Sequence, residues 1–300
     1  MDVPVIDCSQ DHYSDGEIAE ALDSALSQVG FMALRNLGLS RARVDDVFAT
    51  VRRFFALSEA SKRRCAYSAA AENFGYQGLG EEKLDPSRPV DLKETFTMRN
   101  LLDGGAQQRR WPDEDFRASV STFYVDAMAA AQRLQRLLAL ALGVPEDFFL
   151  SRHNGENVTL RLLHYPAVPT QFVATQQMGA GAHTDYGMLT LLLQDEVGGL
   201  QVQSADGDWH DVPPRQDAIV INSGDLLERW SNGRYRSTRH RVLPRSPSQE
   251  RYSIALFVDP DSATRVEALA SCISAGNPAR FPATTAGEHL QEKIEATHIA

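Results

Sequence analysis

Apolar positions in the first half of the chain recur mostly at helical spacing. After a short apolar start (Val3, Val5, Ile6), Ser14 and Glu17 form a capping-box pair. Ile18, Leu22, Ala25, Leu26 and Val29 then follow in steps of three and four up to Gly30, which predicts a helix. Phe31 to Leu34 reads as a strand. Ser40 is placed to cap a second helix that carries Val44, Val47, Phe48, Val51, Phe54 and Phe55 on one face. The stretch from about Asn73 to Met98, rich in Gly, Pro and charge, predicts loops with short strands. Pro112 opens the longest helical pattern, with Phe116, Val120, Phe123, Ala127, Leu134, Leu138 and Ala141 as its apolar stripe and Gly143 at its end. That stripe is a packing surface.

Beyond residue 157 the spacing changes from helical to alternating. Val158 to Tyr165, Met188 to Leu193, Leu200 to Gln203, Ala218 to Ile221, Arg239 to Leu243 and Tyr252 to Val258 read as short strands. Turn pairs such as Gly198-Gly199, Asp206-Gly207 and Asn232-Gly233 separate them. Many short strands with the helices ahead of them, not between them, favour an antiparallel sandwich or barrel over an alternating α/β fold. The expected organisation is one compact domain over 1–300. Its parts are a largely helical front (1–156), a β-rich core (157–260) and a C-terminal segment with a closing helix (261–300).

Composition narrows the possibilities. A net charge of −10, with Lys62-Arg63-Arg64 the one basic run and that run reading as a solvated helix end, argues against a nucleic-acid partner. No apolar stretch approaches the roughly 18 residues of a membrane span, and the N-terminus lacks a signal-peptide pattern. Three scattered cysteines (Cys8, Cys65, Cys272) read as reduced thiols. A cytoplasmic, monomeric protein with a small-molecule ligand is the expectation.

The chemistry concentrates in the β-rich half. His183 and Asp185 sit two apart, so extended backbone would turn both to one face. Imidazole and carboxylate suit Fe(II), and two histidines with one carboxylate leave open positions on the metal. His240, in the strand Arg239 to Leu243, is the best candidate for the third ligand. Arg251 and Ser253 form a second same-face pair, and a guanidinium beside a hydroxyl holds a carboxylate. Taken singly, each fragment has an ordinary structural reading: a surface or core histidine, an exposed charge. His164 next to Tyr165 should point to the opposite face from it. His210 follows Trp209 in a turn-rich segment, His153, His289 and His298 have no partner pattern, and Asp195 and Glu196 read as exposed turn residues.

Together these stretches resemble the isopenicillin N synthase-like group of Fe(II)/2-oxoglutarate oxygenases. The matching residues are His183-Thr184-Asp185, Asn222-Ser223-Gly224-Asp225, Trp230 to Gly233, Ser237 to Val242 and Arg251-x-Ser253. Gly30-Phe31, Phe54-Phe55 with Lys62, Gly75-Tyr76, Asp91-x-Lys93-Glu94-x-Phe96 and Thr285-x-Gly287-Glu288-His289-Leu290 extend the resemblance over nearly the whole chain.

The resemblance implies a double-stranded β-helix, a distorted jelly roll, buttressed by the N-terminal helices. It implies Fe(II) on His183, Asp185 and His240, and 2-oxoglutarate as co-substrate with O₂, its far carboxylate on Arg251 and Ser253 with help from Tyr165. Leu163 stands where plant members commonly carry Asn. The Gly181 to Gly187 run and Arg161 look closer to bacterial members, which would set Arg161 and Tyr186 towards the substrate. Hydroxylation of a C–H bond is the commonest reaction the resemblance implies; desaturation, ring closure or epoxidation would use the same oxidant. A family oxidase that uses no 2-oxo acid, or a jelly-roll sensor of small acids, would keep the same triad.

Overall fold

The capping box is built as the spacing requires. Ser14 Oγ accepts the Glu17 N–H at 3.3 Å, and the Glu17 carboxylate accepts the Ser14 N–H at 2.9 Å, opening α1 (Asp15–Gln28). Ser40 caps α2 (Arg41–Phe55), and a short α3 (Glu59–Arg63) follows. The long helix differs from expectation at its start. Asp113 is the N-cap, accepting the Phe116 N–H at 2.7 Å, so Pro112 lies outside α4 (Glu114–Leu142). Gly143 ends that helix with φ 65°, a left-handed conformation that side chains resist. The computed structural model describes residues 2–69, 72–85, 87–103, 105, 109–167, 177–244 and 249–298.

Eight strands make the larger sheet: β1 (Val5–Asp7), β2 (Phe31–Arg35), β3 (Phe74–Gln77), β4 (Glu94–Arg99), β5 (Val158–Tyr165), β7 (Leu189–Gln194), β10 (Ile219–Ser223) and β12 (Arg251–Val258). Their order is β1-β2-β10-β7-β12-β5-β4-β3, antiparallel throughout except for β1 with β2. The smaller sheet runs β6-β11-β8-β9, from β6 (Ala180–His183), β8 (Leu200–Gln203), β9 (Trp209–Asp211) and β11 (His240–Val242). Two further helices, α5 (Asp225–Trp230) and α6 (Ala286–His298), the pair β13 (Arg265–Val266) with β14 (Thr284–Thr285) and two 3-10 turns (Leu150–Arg152 and Ala270–Cys272) complete the described elements. This is the expected jelly roll. The front half contributes more to it than helices: β1 and β2 extend one edge of the larger sheet, β4 and β3 the other.

Strict alternation sorts the larger sheet into two faces. Leu160 and Leu162 of β5, Leu191 and Leu193 of β7, and Ile254 and Leu256 of β12 join the core formed with α1, α2 and α4. Leu163, Tyr165, Val220 and Ala255 point the other way, into a second core with Leu200, Val202 and Val242 of the smaller sheet. The iron-ligand candidates lie at the edge of that inner space.

Two polar assignments change. Lys62 is no solvated helix end: its Nζ lies 2.5 Å from Glu94 Oε2, and both side chains are buried. Glu94 also accepts from the Tyr76 hydroxyl and from His164 Nδ1 at 2.6 Å, tying α3, β3, β4 and β5 together. Asp195 is buried rather than exposed, accepting the N–H groups of Tyr252 and, at 3.0 Å, Val197. In both cases the partner is remote in sequence, and a buried charge is tolerated only because that partner is present.

Candidate active site

His183 is the last residue of β6, and Asp185 lies in the turn just beyond it, so strand alternation alone does not bring the two together. Pairing of β11 with β6 sets His240 opposite His183. The Nε2 atoms of His183 and His240 then stand 3.7 and 3.6 Å from Asp185 Oδ1, and the two rings are 4.3 Å apart between centroids. One donor atom from each residue falls within 4.8 Å of the others, and this is the one such cluster among the described residues.

Each ligand candidate is held from behind. His183 Nδ1 donates to the Gly181 carbonyl at 2.7 Å, and His240 Nδ1 donates to the Thr238 carbonyl at 3.1 Å. A carbonyl only accepts, so these bonds fix the tautomer and leave both Nε2 lone pairs turned to the shared space. Phe31 packs edge-on against His240 at 5.4 Å. Asp185 Oδ2 accepts from Asn222 Nδ2 at 2.7 Å and from the Thr190 hydroxyl, which leaves Oδ1 for the metal.

Electrostatics fit the same purpose. Burial first, then the neighbouring His240 ring, holds His183 well below the ordinary imidazole range, so it is neutral at neutral pH. For Asp185, burial works to raise the carboxyl, but His240, His183 and the donors Asn222 and Thr190 outweigh it and keep it ionised. Two imidazoles with their Nε2 atoms turned to one carboxylate are the donor set that Fe(II) takes, and no rearrangement is needed to offer it.

Arg251 and Ser253 alternate onto the inward face of β12 as expected. Arg251 is 3% exposed, and its guanidinium donates to Ser253 Oγ at 3.2 Å and Gln194 Oε1 at 3.0 Å and lies 4.6 Å from the Tyr165 ring centroid. Among the described residues no carboxylate pairs with it, and both Arg251 Nε and Gln194 Nε2 are buried without a hydrogen-bond partner. A buried guanidinium with unused donors is costly unless an anion completes it.

The substrate-side candidates separate. Arg161, inward-facing on β5, is already engaged: it ion-pairs with Glu82 and donates to Thr95 and Thr97 at 3.2 Å. Lys93 meets the same Glu82 at 3.1 Å and Asp91 at 2.6 Å, and Asp91 accepts the Gly181 N–H at 2.9 Å, next to His183. Burial would raise Glu82, but Arg161 and Lys93 prevail and hold it near 2. Tyr186 is half-buried, with the Lys293 ammonium of α6 5.8 Å from its ring centroid. Lys293 in turn reaches Asp225 at 2.6 Å, which docks the closing helix beside the turn that carries Asp185.

Sequence reasoning does not single out Thr190, Asn222 and Gln194 as site residues. A signal exists for them: Thr190 and Gln194 flank Leu192, and Asn222 follows Val220, on the inward faces of β7 and β10. Glu82 and Asp91 carry no such mark, because loop residues have no periodicity to violate.

A candidate His-Asp-His cluster in a jelly roll, with a buried guanidinium that no carboxylate pairs among the described residues, is the arrangement expected of a mononuclear iron oxygenase with an acidic co-substrate. Comparison with known proteins agrees. Residues 156–260 match the family model of the 2OG-Fe(II) oxygenase superfamily, and residues 3–114 match the model described as non-haem dioxygenase in morphine synthesis N-terminal. A 2-oxoglutarate-dependent dioxygenase of Dothideomycetidae sp. (strain 11243) is 32% identical, over 99% of this chain and 98% of its own. A proline hydroxylase of Petromyces alliaceus is 34% identical over 92% of each. A full-length Neurospora crassa protein, solved in complex with alpha-KG, superposes with TM-score 0.89 at 32% identity, covering 99% of this chain and 96% of that one. The same Neurospora crassa protein has also been solved with alpha-KG and thymine. The chain belongs to the Fe(II)/2-oxoglutarate-dependent oxygenase family. It is a dioxygenase that uses Fe(II), 2-oxoglutarate and O₂.

Proposed function

We propose that His183, Asp185 and His240 hold the iron, that Arg251 and Ser253 with Tyr165 hold the far carboxylate of 2-oxoglutarate, and that the enzyme hydroxylates a small polar metabolite met by Arg161 and Tyr186. The observation that carries this reading is Arg251: buried, without a carboxylate partner among the described residues, and on the same sheet face as Thr190, which supports Asp185. When bound, the iron supplies the oxidising chemistry: one atom of O₂ goes to succinate as 2-oxoglutarate loses CO₂, and the other to the substrate. The chain's own groups hold both imidazoles in one orientation, anchor the co-substrate, and present the substrate.

The relatives' ligands support a polar, nitrogen-bearing substrate, since the Neurospora crassa protein is seen with thymine and another relative is a proline hydroxylase. Arg161 beside Glu82 offers donors next to an acceptor, which suits an amide edge or an amino acid. A panel of small heterocycles and amino acids, scored by substrate-stimulated succinate release, should contain activators. Arg161→Leu should then lose on the order of 2–5 kcal/mol of substrate binding, with the slow substrate-free turnover of 2-oxoglutarate retained. Equal stimulation of wild type and variant by an activating substrate would make Arg161 a purely structural partner of Glu82.

A further inference from the structure

The turn that carries Asp185 continues through Tyr186, Gly187 and Met188 before β7 begins. Backbone from the start of α5 holds one side of it: the Asp185, Gly187 and Met188 carbonyls accept the N–H groups of Asp225, Leu226 and Gly224, each at 2.9 Å. A side chain holds the other. Asp259, just past β12, accepts the Met188 N–H at Oδ1, 3.0 Å. It lies two residues beyond Phe257, on the strand face where Phe257 stands opposite Thr190, the residue that donates to Asp185.

Gly187 shows how closely that carboxyl is fitted. A Cβ built there would lie 1.5 Å from Asp259 Oδ1, 2.1 Å from Cγ and 2.6 Å from Oδ2, and these are its three nearest atoms. Gly187 is not among the glycines with positive φ, so its backbone suits any residue. The glycine is required because the Asp259 carboxyl fills the space a side chain would take.

We infer that Asp259 is a positioning residue for the metal centre, locking the Gly187–Met188 turn so that Asp185 presents Oδ1 to His183 and His240. This rests on the reading of Asp185 as a ligand. Metal–ligand distances tolerate only about 0.2 Å, so a loosened turn is felt directly in affinity, and losing a group that supports a ligand costs roughly 10–100-fold.

The test is titration of the apo-enzyme with Mn(II), followed by electron paramagnetic resonance, which needs no turnover and no substrate. Asp259→Ala is expected to bind Mn(II) about 10–100-fold more weakly. Asp259→Asn keeps an oxygen acceptor of the same shape and should stay near wild type. Gly187→Ala should weaken binding as much as Asp259→Ala, since its methyl displaces the same carboxyl. The double variant should be no weaker than either single one, because both remove one interaction. Wild-type affinity in Asp259→Ala, or additive losses in the double variant, would overturn the assignment. If Asp259→Ala does not fold, the contrast between Gly187→Ala and Asp259→Asn decides, and equal affinities there would overturn it too. Asp185→Ala is the control: if it binds Mn(II) like wild type, the ligand reading fails, a result separate from any failure of the positioning role.

Discussion

Asp185→Ala should fold and lose nearly all of its iron. Asp185 is the one anionic donor of the proposed site, and its Oδ1 is the atom both imidazole Nε2 atoms approach, at 3.7 and 3.6 Å. Removing a ligand must cost more than the roughly 10–100-fold that removal of a supporting group costs. The fold should survive. The variant strands the Asn222 and Thr190 donors, at about 1–3 kcal/mol each, but it also removes a buried carboxylate that is costly to desolvate. Metal analysis after Fe(II) loading and dialysis reads the outcome, with circular dichroism as the check on folding. Iron content equal to wild type in a folded variant would remove Asp185 from the site.

The second large effect belongs to Arg251. Arg251→Gln should raise the 2-oxoglutarate requirement by two to three decades, from the roughly 3–5 kcal/mol that breaking a buried ion pair costs. Iron affinity should hardly change, because neither the ligands nor the bonds behind them are touched. Gln194 and Ser253, both within hydrogen-bond distance of the guanidinium, remain but carry no charge to replace it. Pyruvate, which lacks the far carboxylate, separates this from general damage: it should be a poor co-substrate for wild type and lose little more in the variant. Steady-state succinate formation against 2-oxoglutarate concentration is the measurement. An unchanged requirement in Arg251→Gln would place the co-substrate elsewhere.

Much of this is legible in the sequence, for identifiable reasons. Strand alternation is a local property, so Arg251 and Ser253 fall on one face as their spacing demands, and His164 lies opposite Tyr165 for the same reason. His183 and Asp185 come together for a different reason than the one read from their spacing: β6 ends at His183, and the turn fixed by Gly187, Asp259 and α5 delivers Asp185. What stays hidden depends on register between distant segments. Lys62 with Glu94, Asp195 with the Tyr252 amide, and Asp91 with the Gly181 amide join positions 32, 57 and 90 residues apart. The bounds of β3 and β4 are hidden as well. Their short runs carry too little alternation to stand out from a Gly- and Pro-rich stretch; β4 takes its place by pairing with β5, and β3 by pairing with β4.

The most direct test of the whole site is anaerobic. Fe(II) and 2-oxoglutarate added together to apo-enzyme should produce a weak visible charge-transfer band that neither gives alone, and admitting O₂ should bleach it with release of succinate. The band should be missing in Asp185→Ala and should need far more 2-oxoglutarate in Arg251→Gln. No band at saturating Fe(II) and 2-oxoglutarate, or O₂ consumption that proceeds without any 2-oxo acid, would contradict an iron and 2-oxoglutarate centre built from these residues.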